Sequence, residues 1–352
     1  MDKLLTIVIP AFNMEKYLHR CFNSIICSEE IMNRVQIIVV NDGSKDGTSE
    51  IAHQYERKFP HYIQVIDKAN GNYGSCMNVG LSQATGKYFR TLDADDWYNT
   101  AAYEQFVNIL EDTDADMLIS ERDEFFEETG EQIHLSFSEE AQTNQDLKAD
   151  KRIWNIKSVR NMCHVSSVCF KTSILKQANM RWDENVFYTD NEYLFFPLEY
   201  VRTIRLVSSP VYVYLKGRSE QSVSMNSIKK NFHSYNIVTN SILDRFISNG
   251  NEDSCMYPLQ LKILKEDLFP FFYLTLIFDG LKNKSFVDNI ERKIKKCPVL
   301  YDATNKINNY RGLHYVATYR DSLIHYYLIR LDYKLRSNKV LRTIFKKKTK
   351  SY

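Results

Sequence analysis

The stretch Gly86-Lys87-Tyr88-Phe89-Arg90-Thr91-Leu92-Asp93-Ala94-Asp95-Asp96-Trp97 reads as a short strand that runs into three carboxylates within four positions. Tyr88, Phe89, Thr91 and Leu92 suit a strand. The end of a strand is where an α/β sheet presents groups to a ligand. Like charges held this close repel, so a protein that crowds them usually supplies a counter-cation. Asp93 and Asp95 are therefore candidate ligands for a divalent ion that itself holds phosphate oxygens. The competing reading is an acidic N-cap for the helix that starts near Thr100, a role that one carboxylate fills. The stretch alone does not choose between them.

Its neighbours extend the pattern. Residues 4–9 (LLTIVI) form a continuous apolar run closed by Pro10, and residues 35–40 (VQIIVV) form a second; both read as buried strands. From Met14 the positions Tyr17, Leu18, Cys21, Phe22, Ile25 and Ile26 recur at helical spacing. A helix over 48–58, a strand over 62–66, a helix over 75–84 and a short strand over 117–120 follow. Strands and helices that alternate through short connections indicate a parallel α/β arrangement. Right-handed crossovers put the turns at one carboxyl edge. Asn13, Asp42, Asn70 and Asp93 to Asp96 are thus expected to converge on one crevice.

Beyond residue 125 the pattern weakens. Residues 127–150 read as loop or hairpin, 165–170 as a strand, 172–178 as a helix, 182–190 as irregular, 192–200 as a short helix, and 204–207 and 211–215 as two late strands. Helices are expected at 232–247, 259–281 and 319–346, with a boundary near 225.

At 352 residues, 44% hydrophobic and 26% charged, the composition is that of a globular protein with one large domain or two. The net charge of +2 conceals a basic stretch over 330–352 and an acidic one over 111–140. Seven scattered cysteines without CxxC spacing argue for reduced thiols and a cytoplasmic setting. No signal-peptide pattern opens the chain. The longest apolar run, residues 268–278, falls short of the roughly 20 residues that span a bilayer. Neither GxGxxG nor GxxxxGK[ST] occurs, which argues against dinucleotide and Walker-type sites. Lone histidines such as His134 and His164 read as surface or satisfied core residues, and no spacing points to zinc. No recognised nucleic-acid module is present.

Asp42, in Asn41-Asp42-Gly43-Ser44, admits two readings. It could accept hydrogen bonds from a base or ribose, or it could be ordinary turn chemistry. Its setting brings in a resemblance. Pro10-Ala11-Phe12-Asn13, Val40-Asn41-Asp42-Gly43-Ser44, the run Asn70-Gly71-Asn72-Tyr73-Gly74 through Leu81, and the opening stretch occur in an order that resembles the N-terminal motifs of family 2 glycosyltransferases. The resemblance covers about residues 4–225. It implies the GT-A nucleotide-diphospho-sugar transferase fold, a Rossmann-like mixed sheet flanked by helices, over 1–225. The nucleotide-binding half would be about 1–120 and the acceptor half about 121–225, with a mainly helical C-terminal region over 226–352.

By that resemblance Pro10, Ala11, Asn13, Asp42, Asn70, Gly71 and Asp93 hold the nucleotide, with Asp42 on the uracil or ribose. Asp95 is the main ligand of Mn2+ or Mg2+, and Asp93 lies nearer the ribose. The chain departs from the pattern where many members carry Ala-Arg-Asn and it has Cys76-Met77-Asn78; Lys68 and Arg90 are the cations that could substitute. The general base falls in Phe187-Tyr188-Thr189-Asp190-Asn191-Glu192, where Asp190 matches the Asp of the family's Glu-Asp pair and Thr189 replaces the Glu. An N-cap role for Asp190 competes, and Glu192 is the rival base, while Asp183 and Glu184 read as surface loop. Arg218 resembles a basic residue that closes over the diphosphate.

The implied activity is metal-dependent, inverting transfer of a sugar from a nucleotide-sugar, chiefly a UDP-sugar, to a hydroxyl of a glycan or polyprenyl-linked acceptor. A non-catalytic sugar-nucleotide-binding or assembly module is the alternative. An aspartyl phosphotransferase would want its Asp pair on the first strand. The apolar face Leu323, Ile324, Tyr327, Leu328, Leu331 and Leu335, among basic residues, could rest peripherally on an anionic membrane surface or pack on its own domain.

Overall fold

The computed structural model describes residues 3–217, 230–268 and 284–306, together with positions 227, 316, 317, 320 and 331. Two apolar runs make its centre. β1 (Leu5–Ala11) and β2 (Val35–Asn41) are buried almost throughout, as strands covered on both faces must be. They pair in parallel, with Ile7 opposite Ile37 and Val39 opposite Ile9. β3 (Ile63–Asp67) joins beyond β2 and β4 (Tyr88–Thr91) beyond β1, both parallel. The turns after these four strands therefore share one edge.

The helices between them follow from periodicity. α1 (Leu18–Ile25) buries Leu18, Cys21, Phe22 and Ile25, the apolar stripe of its sequence. α2 (Glu29–Met32) is a single turn, α3 spans Thr48–Lys58 as expected, and α4 spans Asn72–Ser82. α4 starts three residues before the expected position, and its first residue, Asn72, takes the left-handed conformation, with φ 64°, one that Asn tolerates well.

β1 continues through Pro10 rather than stopping before it. Val8 is the last β1 residue paired with β4, and its carbonyl accepts from Leu92 N at 3.0 Å. Two residues on, the same edge of β1 has no partner, so a residue without an N–H is tolerated there.

The second half differs from a parallel α/β pattern. Among the described residues, ten strands form one sheet with the order β3-β2-β1-β4-β9-β6-β10-β5 along its main path. β5 (Trp97–Tyr98) precedes α5 (Thr100–Glu111), β6 (Met117–Phe126) is ten residues long, and β7 (Gln132–Leu135) and β8 (Asp146–Lys148) add short pairings. α6 (Lys157–Met162) leads to β9 (Val168–Lys171), antiparallel to both β4 and β6. α7 (Thr172–Gln177) and α8 (Asp190–Phe195) follow. The two late strands are one, β10 (Thr203–Lys216), with register shifts on either side of Pro210. The irregularity around a residue that cannot donate is what made it read as two.

The chain divides into two compact units, Met1–Ser227 with Asn249–Gln260, and Ile228–Ser248 with Leu261–Tyr352. In the second unit the helix Phe232–Asn249 buries Val238, Ile242 and Leu243, and Arg320 pairs with Glu291 at 2.9 Å with both side chains buried. Arg218 lies outside the described residues, as does nearly all of the basic amphipathic stretch. All seven cysteines are free. Among the described residues no helix is long and apolar enough to cross a membrane.

A side-chain cluster on α3 braces the end of β3. His53 Nε2 contacts Asp67 Oδ2 at 2.7 Å, and its Nδ1 contacts Glu56 at 2.8 Å. These hydrogen bonds, Asp67 first, raise the His53 imidazolium above its ordinary 6.5. A raised pKa adds stability that is full below the unfolded value and is lost as pH rises through the folded one. His53→Gln is therefore expected to lower the denaturation midpoint near pH 6 and to leave it nearly unchanged near pH 9.

Candidate functional site

Asp42 directly follows β2, and its residue is only 3% exposed, so its charge needs partners. Lys68 Nζ and Gly71 N donate to Oδ1 at 2.7 and 2.9 Å, and Asn70 Nδ2 donates to Oδ2 at 3.0 Å. Lys68 also donates to Ala69 O and to Ser75 Oγ. The ammonium is thus engaged at Asp42 rather than held for a phosphate. Asn13, left-handed at φ 55°, accepts from Lys45 N at 2.8 Å and donates through its own N–H to Ser44 Oγ. It braces the turn after β2 and is not among the residues that line the crevice.

The acidic loop is held from two sides. From α1, the Arg20 guanidinium lies over the Trp97 ring at 3.8 Å and donates to Asp95 O at 3.0 Å. From β10, Tyr212 OH donates to Asp96 Oδ2 at 2.6 Å and accepts from Asp93 N at 3.2 Å, while Leu215 N donates to Asp96 Oδ1 at 2.7 Å. Asp96 is fully buried. Burial first, then Asp95 and Asp93, push its carboxyl well above the usual range. The helix cap is Asn99, whose side chain accepts from Ala102 N. The capping role open to the acids of this loop therefore belongs to none of them, and Asp96 ties the loop to β10.

Asp190 is the first residue of α8, and the cap position falls on Thr189 without a side-chain cap bond. Tyr188, just before, holds φ 69°, a strained value for a bulky residue that clusters at functional sites. Its carbonyl accepts from both Asn191 N and Asn191 Nδ2. Glu192 is wholly buried, accepts from Asp183 N at 2.9 Å, and does not line the crevice. Burial pushes its pKa up to about 9. It is a neutral support for the segment before α8, not a group facing the hollow.

These elements surround a crevice of about 300 Å³. Pro10, Ala11, Asp42, Asn70, Asp93, Asp95 and Asp190 all line it. Asn13, Gly71, Lys68 and Arg90 do not. Gly71 acts through its N–H on Asp42. Arg90 is completely buried, donating to Ser120 Oγ and Ser166 O among Tyr98, Phe106 and Tyr212, and cannot meet a phosphate there.

Several lining residues escaped the sequence reading. Phe12 and Phe187 are 43% and 36% exposed, among the few exposed large apolar side chains of the described residues. Phe12 stood inside a quoted motif, and that was its only signal. Tyr73 and Tyr214 line the same space, their phenols raised by burial and then by Asp93 and Asp96 respectively. His164, read as a surface or core histidine, lines the crevice because antiparallel β9 starts at the edge where β1 and β4 end. Its Nδ1 lies 2.7 Å from Ser166 Oγ and 3.3 Å from Ser166 N.

Two roomier hollows lie elsewhere. One, of about 520 Å³, is lined by Asp114, Asp116, Asp146 and Arg202. Its carboxylates are already engaged, Asp116 by Arg202 N and Thr203 N, Asp146 by Thr113 and Arg205, and Asp114 by Lys171. The other, of about 490 Å³, is lined by Lys148, Glu199 and Cys255 among others and shares Arg202. Neither brings together strand-end groups as the smaller crevice does.

Comparison with known proteins agrees with the geometry. Residues 6–174 match the family model for glycosyl transferase family 2. The chain is 28% identical over 280 residues to the minor teichoic acid biosynthesis protein GgaB of Bacillus subtilis (strain 168), covering 75% of this chain and 29% of that protein. It is 23% identical over 218 residues to the uncharacterized glycosyltransferase EpsJ of the same organism, 61% of each. The chain thus spans less than two thirds of the length of these curated relatives. Among solved structures, S. aureus TarS superposes with a TM-score of 0.64 at 18% identity, over 94% of this chain and 55% of that one. TarS 1–349 in complex with UDP-GlcNAc gives 0.56 at 19% identity, over 86% and 81%. The curled mixed sheet flanked by helices is the GT-A fold.

The buried, protonated Glu192 makes stability depend on pH. Its folded pKa of about 9 lies above the ordinary value of 4.5, so the folded state keeps a proton that the unfolded chain releases. Its contribution to stability falls as pH climbs between these values. Glu192→Gln, which keeps an acceptor for Asp183 N, is expected to match the wild type near pH 5 and to exceed its denaturation midpoint near pH 8.

Proposed function

With residues 6–174 belonging to glycosyl transferase family 2, we propose that this protein is a metal-dependent, inverting glycosyltransferase that moves a sugar from a nucleotide donor to an acceptor hydroxyl. The observation that carries the reading is the charge of the crevice. Asp42, the pair Asp93 and Asp95, and Asp190 reach it from three segments, and the described residues that line it include no Lys or Arg. A diphosphate entering such a space needs a cation.

Asp93 and Asp95 are hard oxygen donors suited to Mg2+ or Mn2+. No cluster of three or more His, Cys, Asp or Glu side chains stands ready for an ion among the described residues, so donor oxygens and water would complete the shell. When bound, the ion supplies positive charge against that growing on the departing diphosphate. Asp42, on its Lys68–Asn70–Gly71 frame, orients the nucleoside, and Phe12 offers an aromatic face beside it. Asp190 accepts the proton of the acceptor hydroxyl as that oxygen attacks the anomeric carbon.

UDP is the favoured nucleotide, supported by the fold shared with TarS, a structure of which holds UDP-GlcNAc. The name of one relative, a minor teichoic acid biosynthesis protein, supports a glycan or lipid-linked oligosaccharide as the acceptor only through its mention of teichoic acid. The basic stretch over 330–352 would suit a position at the inner face of the membrane.

Two variants test this reading against a panel of UDP- and GDP-sugars with Mn2+, scored by release of free nucleotide. Asp95→Ala is expected to remove the metal-dependent turnover, and full activity of the wild type in EDTA would sink the metal assignment. Asp190→Asn should bind UDP within about twofold of the wild type by calorimetry yet lose transfer by about a hundredfold or more. Retained transfer in Asp190→Asn, with loss in Glu192→Gln, would move the base to Glu192.

A further inference from the structure

The segment that delivers Asp190 to the crevice is fastened to the helix that frames the nucleotide. Asn78, on α4, uses its whole amide. Its Nδ2 donates to Trp182 O at 2.9 Å and to Glu184 Oε1 at 2.8 Å, and its Oδ1 accepts from Trp182 N at 2.9 Å. The amide thus pairs with both backbone groups of one residue across 104 positions of chain.

Two further ties lie one and two turns along the same helix. A Cβ on Gly74 would stand 2.1 Å from Asp183 O, so only glycine allows the segment to come this close. Asn185 N donates to Gly71 O at 2.8 Å, and Gly71 N donates to Asp42 Oδ1 at 2.9 Å. One peptide residue therefore touches both the nucleotide acid and the segment that leads to Asp190. Glu192 closes the loop from the far side by accepting from Asp183 N.

We infer that Asn78 is a positioning residue for Asp190, acting through the clasp between α4 and the segment 182–190. It sets where the carboxylate stands without touching a substrate. The inference rests on the reading of Asp190 as the base. Loss of the clasp should loosen the base while leaving the donor frame of Lys68, Asn70 and Asp42 intact, because those bonds do not pass through Asn78.

The test uses the full chain with Asn78→Ala and the same-sized Asn78→Asp, which keeps an acceptor for Trp182 N but turns a donor toward Trp182 O and Glu184 into a repelling oxygen. Both variants are expected to speed hydrogen exchange over residues 182–190 and leave 35–41 unchanged. UDP affinity in Mn2+, by calorimetry, should stay within about twofold. The kcat for release of UDP from UDP-GlcNAc, or from whichever donor the panel selects, should fall about tenfold or more with KM nearly constant. In an Asp190→Asn background, Asn78→Ala should add no further loss. Wild-type exchange over 182–190 overturns the inference, as does a loss of UDP affinity that tracks the loss of kcat. Transfer that survives Asp190→Asn overturns the base assignment instead, and hydrogen exchange still judges the clasp by itself.

Discussion

Carboxylates gathered at one sheet edge repel one another, and much of this fold serves to hold them there. Two unit charges about 4 Å apart interact by about 4 kcal/mol at an effective dielectric near 20, enough to open a loop that had no restraint. Each acid is restrained differently. Asp42 is neutralised by Lys68 and two amide donors. Asp96 is removed from water and bonded to Tyr212 and Leu215 N. Asp95 keeps its place through its backbone, which Arg20 grips while stacked on Trp97. Glu192, which would add a further charge behind Asp190, is kept protonated by burial. Asp93, Asp95 and Asp190 line the crevice together with Asp42.

The reversal of direction at β9 matters as much as the parallel strands. β1, β2 and β4 bring Pro10, Asp42 and Asp93 to the edge through their carboxyl ends. β9 runs the other way, so the residues before it, His164 and Val165, arrive at the same edge. β10 runs parallel to β6 and brings Tyr214 there as well. A purely parallel sheet would have put the loop before β9 on the opposite side. The mixed topology is what brings residues from both halves of the sheet to one hollow.

How much of this was legible depends on the range of the interaction. α3 could be read over 48–58 because its apolar spacing and its flanking turn are local. The convergence of Asp42, Asn70, Asp93 and Asp95 followed from strand alternation and crossover handedness, which are general rules of chain geometry. Arg90 and Lys68 could not be placed in this way. Arg90 points into an aromatic core rather than the crevice, and Lys68 turns back on Asp42, choices made by side chains far away in sequence. The same holds for the helix cap, where Asn99 takes the role because Asp96 is claimed by β10 more than a hundred residues later.

By itself the sequence determined a resemblance to family 2 glycosyltransferases, the strand ends that carry the acids and the position of Asp190 near a helix start, because each is written in short motifs and local periodicity. Only the tertiary structure decided which of those acids face the hollow and which are buried. Protonation of Glu192, the tie of Asp96 to Tyr212 and the clasp of Asn78 on Trp182 all depend on burial and on contacts between distant segments. A carboxylate has the same local sequence signature whether it meets a ligand or a tyrosine, and packing alone separates the two.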